Sequence, residues 1–293
     1  HAQHTYLNLA GMAGSVPVEL FGRNDFPAMT EAPYLVSLGP YGFYWFSLES
    51  RTAPVEEAVR PSETTPPPSI IVRRSPEDLL KRSYRSRFEA ALLRHARRSR
   101  WFGSKARQSR NATIVEVVPV PMGEHLAFLT VLRVEYAEGE PESYLIPVAI
   151  THGETIAQIT SEAPWTVIAT VDVKGSAPGT GYLAYDALVS ADFRTALIEM
   201  IGRRRSFRGQ HGTVSGLRTR GVFTRTRGSS QEKLDSVPMR AEQTNSSVIY
   251  GDRFILKLYR RLEEGTSPEL EVGRYLTERQ PFANVTAVAG AIE

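Results

Sequence analysis

The sharpest alternation of apolar and polar positions lies towards the end of the chain. There Val248-Ile249-Tyr250, Gly251-Asp252 and Phe254 to Tyr259 read as strand, tight turn and strand. Alternation along the second strand puts Phe254, Leu256 and Leu258 on one face and Ile255, Lys257 and Tyr259 on the other. Lys257 therefore sits in the middle of an apolar strand, where its ammonium must either reach water along its own stem or meet an anion. Ahead of the hairpin, the polar stretch Thr244, Asn245, Ser246 and Ser247 predicts a turn. After it, Ser267-Pro268 supplies a cap and a first helical residue, and the predicted helix Glu269 to Glu278 carries two acids, Glu269 and Glu271, in its first turn.

The same reading covers the rest of the chain. Residues 1 to about 50 predict short strands at Val16 to Phe21, Tyr34 to Leu38 and Phe43-Tyr44-Trp45-Phe46, with turns at Gly22-Arg23-Asn24-Asp25 and Gly39-Pro40-Tyr41-Gly42. So few strands cannot close a sandwich by themselves. Residues 51–75 mix prolines with Ser, Thr and Glu and predict an extended linker, partly polyproline II. Ser75-Pro76-Glu77-Asp78 opens a helix in which Leu79, Leu80, Tyr84, Phe88, Leu92 and Leu93 recur at helical spacing. Strands are expected at Thr113 to Val120, His125 to Tyr136 and Ser143 to Ile150, an amphipathic helix at Asp192 to Gly202, and a last strand from Val288-Ala289-Gly290. The fold class is α+β.

Composition narrows the chemistry. Across 293 residues, 35 Lys and Arg against 32 Asp and Glu leave a net charge of only +3, which is no nucleic-acid signature. The arginine-dense run around Trp101-Phe102-Gly103 reads as a helix C-terminus followed by a glycine turn with an anchoring tryptophan, so no nucleic-acid partner is expected. The absence of cysteine excludes disulfides and thiolate metal sites and fits a reducing, cytoplasmic compartment. No apolar run is long enough for a transmembrane helix, the six histidines have no metal-ligand spacing, and neither a metal site nor a membrane partner is expected. Both ends look cut, so a fragment of a longer polypeptide is expected.

Three stretches resemble known families. VPVELFGRNDFPAMTEAPYLVSLGPYGFYWFSLE resembles the C-terminal β domain of bacterial trehalose synthases of the α-amylase superfamily, whose catalytic barrel lies upstream. RWFGSKAR is similar to the signature of the N-terminal cap domain of bacterial maltokinases, and GYLAYDALVSADFRTALIEMIGRRRSFRG resembles that cap's helical part. EQTNSSVIYGDRFILKLYRRLEEGTSPELEVGRYL resembles the start of the maltokinase N-lobe, part of an aminoglycoside-phosphotransferase-like kinase fold. The resemblance implies four segments: trehalose-synthase strands at 1–50, a linker at 51–75, the cap at 76–235 and a partial kinase N-lobe at 236–293.

It also implies roles. Lys257 would hold nucleotide phosphates, and Asn245, Ser246 and Ser247 would cover them with hydroxyls and backbone amides in place of a glycine-rich loop. The family pattern at ELEVGRYL puts the lysine's paired acid at Glu271, whereas helical geometry favours Glu269. The implied cofactors are ATP and Mg. The parent would interconvert maltose and trehalose and phosphorylate maltose at C1 with ATP. This chain contains no His-Gly-Asp and no Asp-Phe-Glu or Asp-Phe-Gly; His152-Gly153-Glu154 and His211-Gly212-Thr213 are lookalikes. No catalytic or metal residue is therefore assigned, and the chain alone is expected to be inactive. The alternative from another class is a non-catalytic scaffold linking two catalytic units or supporting a homo-oligomer.

Overall fold

The computed structural model describes residues 3–12, 14–19, 26–27, 29–30, 34–38, 44–50, 66–177, 180–229, 234–239, 245–280, 282 and 284–293. The chain divides into two compact units, His1–Thr64 and Thr65–Glu293.

In the first unit β1 (Gln3–Leu7), β2 (Ser15–Glu19), β3 (Tyr34–Leu38) and β4 (Phe46–Ser50) make two antiparallel pairs, β1 with β3 and β2 with β4. The second and third of these strands are the ones expected from alternation. The last begins at Phe46, where the expected strand was to end, because Phe46 is the residue that faces Glu19 across the ladder. Phe26 meets the rings of Phe46 and Tyr44 edge-on at 4.7 and 5.2 Å, which closes the aromatic end of this unit. The two expected glycine turns lie outside the described residues.

The second unit is built on a seven-stranded sheet. Six of its strands are β5 (Ser69–Val72), β6 (Ser109–Met122), β7 (His125–Tyr136), β8 (Glu142–His152), β9 (Val167–Val173) and β10 (Tyr182–Asp186), in the order β5-β9-β10-β8-β7-β6, and the seventh is a late strand added on β8. All neighbours are antiparallel except β5 with β9. Two of these strands depart from expectation. The end of the predicted linker forms β5, because Ile70 and Val72 find buried places in the sheet. Tyr182–Asp186, expected within a helical part, is a strand whose Leu183, Ala184 and Tyr185 are buried on both faces.

Both sheet faces are covered, which is why β7 reads as a nearly continuous apolar run. On one face α1 (Arg85–Arg98) sets Phe88, Leu92 and Ala96 against Ile70, Val72, Leu132 and Ile146. The helix begins at Arg85 rather than at Pro76; Pro76–Leu80 forms a 3-10 turn of its own. On the opposite face α3 (Ala191–Arg203) sets Phe193 and Leu197 against Val118, Val120, Leu129 and Ala149, while α2 (Glu154–Glu162) lies after β8.

Beyond α3 come β11 (Ser206–Arg208), β12 (Thr213–Arg218), α4 (Val222–Arg227), β13 (Ser236–Pro238), β14 (Asn245–Tyr250), β15 (Phe254–Tyr259), β16 (Arg261–Leu262), α5 (Pro268–Glu278) and β17 (Gly290–Ile292). They form two small sheets, β11-β12-β17 and β13-β14-β15, and β16 joins the large sheet by pairing with β8. The segments expected as cap and partial N-lobe thus fold within one compact unit, with Val248 and Tyr250 of β14 fully buried in the core beneath α3.

Candidate functional site

The β14-β15 hairpin presents two unlike faces, as its alternation requires. Phe254, Leu256 and Leu258 pack against the core, while Ile255 is 67% exposed and Lys257 also lies outward. Register places Val237 opposite Ile249 and Ile249 opposite Ile255, so three aliphatic side chains form a row across the outer face. One step along the strand, the Lys257 ammonium donates to Glu269 Oε1, and Tyr259 Oη donates to Glu269 Oε2 at 2.7 Å. Hydrogen bonds from Lys257 and Tyr259 hold the Glu269 carboxyl below its ordinary range.

The carboxylate meeting Lys257 is therefore Glu269, the residue favoured by helical geometry, and not Glu271, the residue suggested by the family pattern. Two residues along an α-helix are about 200° apart around its axis, so the two acids project from nearly opposite sides. Glu271 is exposed in the first turn of α5.

Asn245, Ser246 and Ser247 form strand rather than turn. They pair with Tyr259, Leu258 and Lys257 of β15, and Met239 N donates to Ser247 O on the other side. A strand with partners on both edges overrides the weak strand propensity of Asn and Ser. Ser247 is fully buried, and the Ser246 hydroxyl accepts from Arg260 Nε at 2.8 Å. The Ser246 hydroxyl turns to the core face, whereas Ser247, though buried, faces Lys257 across the ladder on the same side of the hairpin. Thr244 lies outside the described residues.

Arg260 was not singled out in the sequence. One more step of the alternation through Leu256 and Leu258 places it on the core face, and it is 3% exposed. Its guanidinium donates from Nη1 to Asp186 Oδ2 at 2.8 Å and lies 5.0 Å from the Trp101 ring centre, while its carbonyl accepts from Leu145 N at 2.7 Å. Asp186 ends β10, is itself 4% exposed, and accepts from Leu188 N at 3.0 Å; His95 of α1 brings Nε2 to 3.6 Å from Oδ2. Burial alone would raise the Asp186 carboxyl, but the charge of Arg260 and the nearby His95 imidazole hold it well below the usual carboxylate range.

Arg261 repeats the arrangement on a second buried acid. Its Nη1 lies 3.3 Å from Oε1 of Glu142, the first residue of β8. Glu142 also accepts from Ser104 Oγ at 2.6 Å, Tyr136 Oη at 2.7 Å, Tyr144 Oη at 2.6 Å and Arg107 Nη1 at 3.1 Å. The Arg107 guanidinium lies over the Tyr136 ring at 3.7 Å and donates to the carbonyls of Glu138 and Glu140, with Gly139 at a φ of 82° between them. RWFGSKAR is thus a fastening loop: Trp101 and Phe102 are buried, Ser104 and Arg107 hold Glu142, and Trp101 lines Arg260. The lookalike His211-Gly212 has a fastening role as well. The amides of Gln210, His211 and Gly212 donate to Glu116 at 2.6 to 2.9 Å, tying the β11-β12 loop to β6.

Residues 1–45 match the family described as Maltogenic Amylase, C-terminal domain, and residues 96–189 match the Maltokinase N-terminal cap domain. The chain is 52% identical over 46 residues to "Trehalose synthase" of Pimelobacter sp. (strain R48), a stretch covering 16% of this chain and 8% of that protein. It is 50% identical over 42 residues to "Trehalose synthase/amylase TreS" of Mycolicibacterium smegmatis (strain ATCC 700084 / mc(2)155), covering 14% of this chain and 7% of that one. The chain therefore spans less than a tenth of the length of these relatives. The two matches, to a maltogenic amylase C-terminal domain and then to a maltokinase N-terminal cap, come in an order that fits a fusion of trehalose synthase with maltokinase.

Proposed function

We propose that the outer face of β13-β14-β15 is one half of the ATP site of a maltose-phosphorylating kinase, carried on a polypeptide whose other activity interconverts maltose and trehalose. The observation that carries the reading is the lysine-carboxylate pair, Lys257 with Glu269, set beside the aliphatic row Val237, Ile249 and Ile255. An apolar platform suits a nucleobase, and an ammonium held in place by a carboxylate suits the phosphates it would neutralise. In this reading Lys257 and Glu269 form the clamp, and Glu271 is a first-turn acid that favours the helix dipole. Asn245 and Ser247 share the Lys257 face and would line the phosphates from the strand, whereas Ser246 contributes by holding Arg260 from the core face.

The residues of this chain bind and orient; they supply no base. Magnesium would be held by acids other than Glu269 and, when bound, would supply counter-charge to the phosphates that Lys257 orients. The chain alone is expected to bind ATP weakly and to form no maltose 1-phosphate. Calorimetric titration with Mg-ATP tests the clamp: Lys257→Ala should weaken binding at least tenfold. Unchanged binding in that variant removes the assigned role. Formation of maltose 1-phosphate by the chain alone removes the division of labour.

A second reading, an interaction module, draws on α5, which buries no residue and leaves Val272 and Tyr275 more than half exposed. Sedimentation of the chain at rising concentration tests it: a discrete dimer supports it, and a monomer throughout opposes it.

A further inference from the structure

The clamp residue Lys257 and the buried Arg260 lie on one continuous stretch of chain. At Arg260 this stretch leaves the three-stranded sheet and becomes β16, an added strand on β8 of the large sheet. A strand slipped by one residue turns every side chain to the opposite face. Such a slip would carry Lys257 under the sheet and Arg260 out of it.

Hydrogen bonds along the ladder resist slippage only weakly, because each can be remade one step along. A buried guanidinium facing a buried carboxylate cannot be, since the slipped state would leave Asp186 uncompensated in the core. Arg260 also ties both strands of the hairpin together by donating to Ser246 on β14. The Trp101 ring and the Arg261 pair with Glu142 flank the same crossing point.

We propose that Arg260, held by Asp186 of the cap, is a positioning residue that fixes the register of β15 and so sets Lys257 against Glu269. The cap thereby acts as a structural determinant of the nucleotide clamp from the opposite side of the sheet. This rests on the clamp as the functional site, but the register statement can be read without any nucleotide.

The test is the reactivity of the Lys257 amine towards an acylating reagent, followed by mass spectrometry on the intact folded chain well below its melting temperature. Lys81, Lys105 and Lys174 serve as internal references. Glu269→Ala sets the scale by removing the carboxylate that meets the amine, expected to raise labelling about two- to fivefold, the range of an exposed ion pair. Asp186→Asn, by letting β15 slip and carry Lys257 under the sheet, should lower Lys257 labelling, opposite in sign to Glu269→Ala, while the reference lysines keep their rates. Should Asp186→Asn fail to fold, Ser246→Ala, which removes only the acceptor of Arg260 Nε, should give the same selective fall in part. A folded variant with a lowered melting temperature but unchanged Lys257 labelling would overturn the proposal and leave Arg260 a purely stabilising residue. Loss of the ATP response to Lys257→Ala is a separate outcome: it would remove the nucleotide reading and leave the labelling result in place.

Discussion

Two ion pairs three residues apart on one stretch of chain differ in almost every physical respect. Arg260 with Asp186 is enclosed, its side chains 3% and 6% exposed, and Lys257 with Glu269 is open, at 46% and 55%. The enclosed pair has given up its hydration and is held by geometry, with a ring beneath the guanidinium and a serine at Nε. The open pair keeps its water and contributes little to stability, which is what allows a ligand to displace or share it. Rigidity and availability are thus assigned to separate residues of the same strand, and the first can serve the second.

The largest expected effect breaks the enclosed pair. Arg260→Met leaves Asp186 buried without its main counter-charge and should destabilise the chain by about 3–5 kcal/mol, read as the shift of the denaturant midpoint at constant slope. Replacing both members, Arg260→Met with Asp186→Leu, should recover most of that loss, since an apolar pair in the same space has no desolvation cost. If the double variant is no better than the single one, the energy at this site lies in the neighbouring contacts and not in the pair.

Next in size is the acid limb of stability. The Asp186 and Glu142 carboxyls are both depressed in the folded state: against burial, Arg260 and His95 lower the first, and Ser104, Tyr144 and Tyr136 the second. A group depressed on folding contributes stability that is complete above its unfolded value and is lost as pH falls through the folded one. Unfolding should therefore steepen below the ordinary carboxylate range near pH 4. Asp186→Asn should flatten that limb, and Glu142→Gln should flatten it less and cost about 1–3 kcal/mol at neutral pH as the Ser104 and tyrosine hydroxyls lose a charged acceptor. An acid limb unmoved by either change would mean that other carboxylates govern it.

The sequence made the open pair legible and hid the enclosed one. Period-two alternation from Phe254 to Tyr259 identified the outward lysine without any knowledge of the fold, and the helix-starting Ser267-Pro268 led to the carboxylate, though it left two to choose from. Arg260 was hidden because Tyr259-Arg260-Arg261 reads as a solvated basic end, and its partner lies on a strand brought there only by the sheet order β10-β8 with β16 alongside. The alternation itself held the signal: continued past Leu258, it required a buried charge and hence a partner. Asn245 to Ser247 misled for the opposite reason, since their composition favours a turn and only pairing with β15, joined at Ser247 by Met239 on the other edge, makes them strand. Ile70 and Val72 were masked by the prolines and serines before them, although buried β-branched pairs of this kind are ordinary strand material.

The smallest expected effect tests the open pair by the same measure as the enclosed one. A double-mutant cycle over Lys257→Ala and Glu269→Ala should return a coupling of about 0.2–1 kcal/mol in denaturant unfolding, falling further when ionic strength is raised. Tyr259 Oη remains on Glu269 in the lysine variant, so the carboxylate is not left without a donor and the single change should be mild. The same Lys257→Ala substitution is expected to weaken ATP binding at least tenfold, so its effect on binding should far exceed its effect on stability. A coupling of several kcal/mol would instead make Lys257 and Glu269 a second structural fastening like Arg260 and Asp186, and a lysine bound that firmly to its own carboxylate is poorly placed to receive a phosphate.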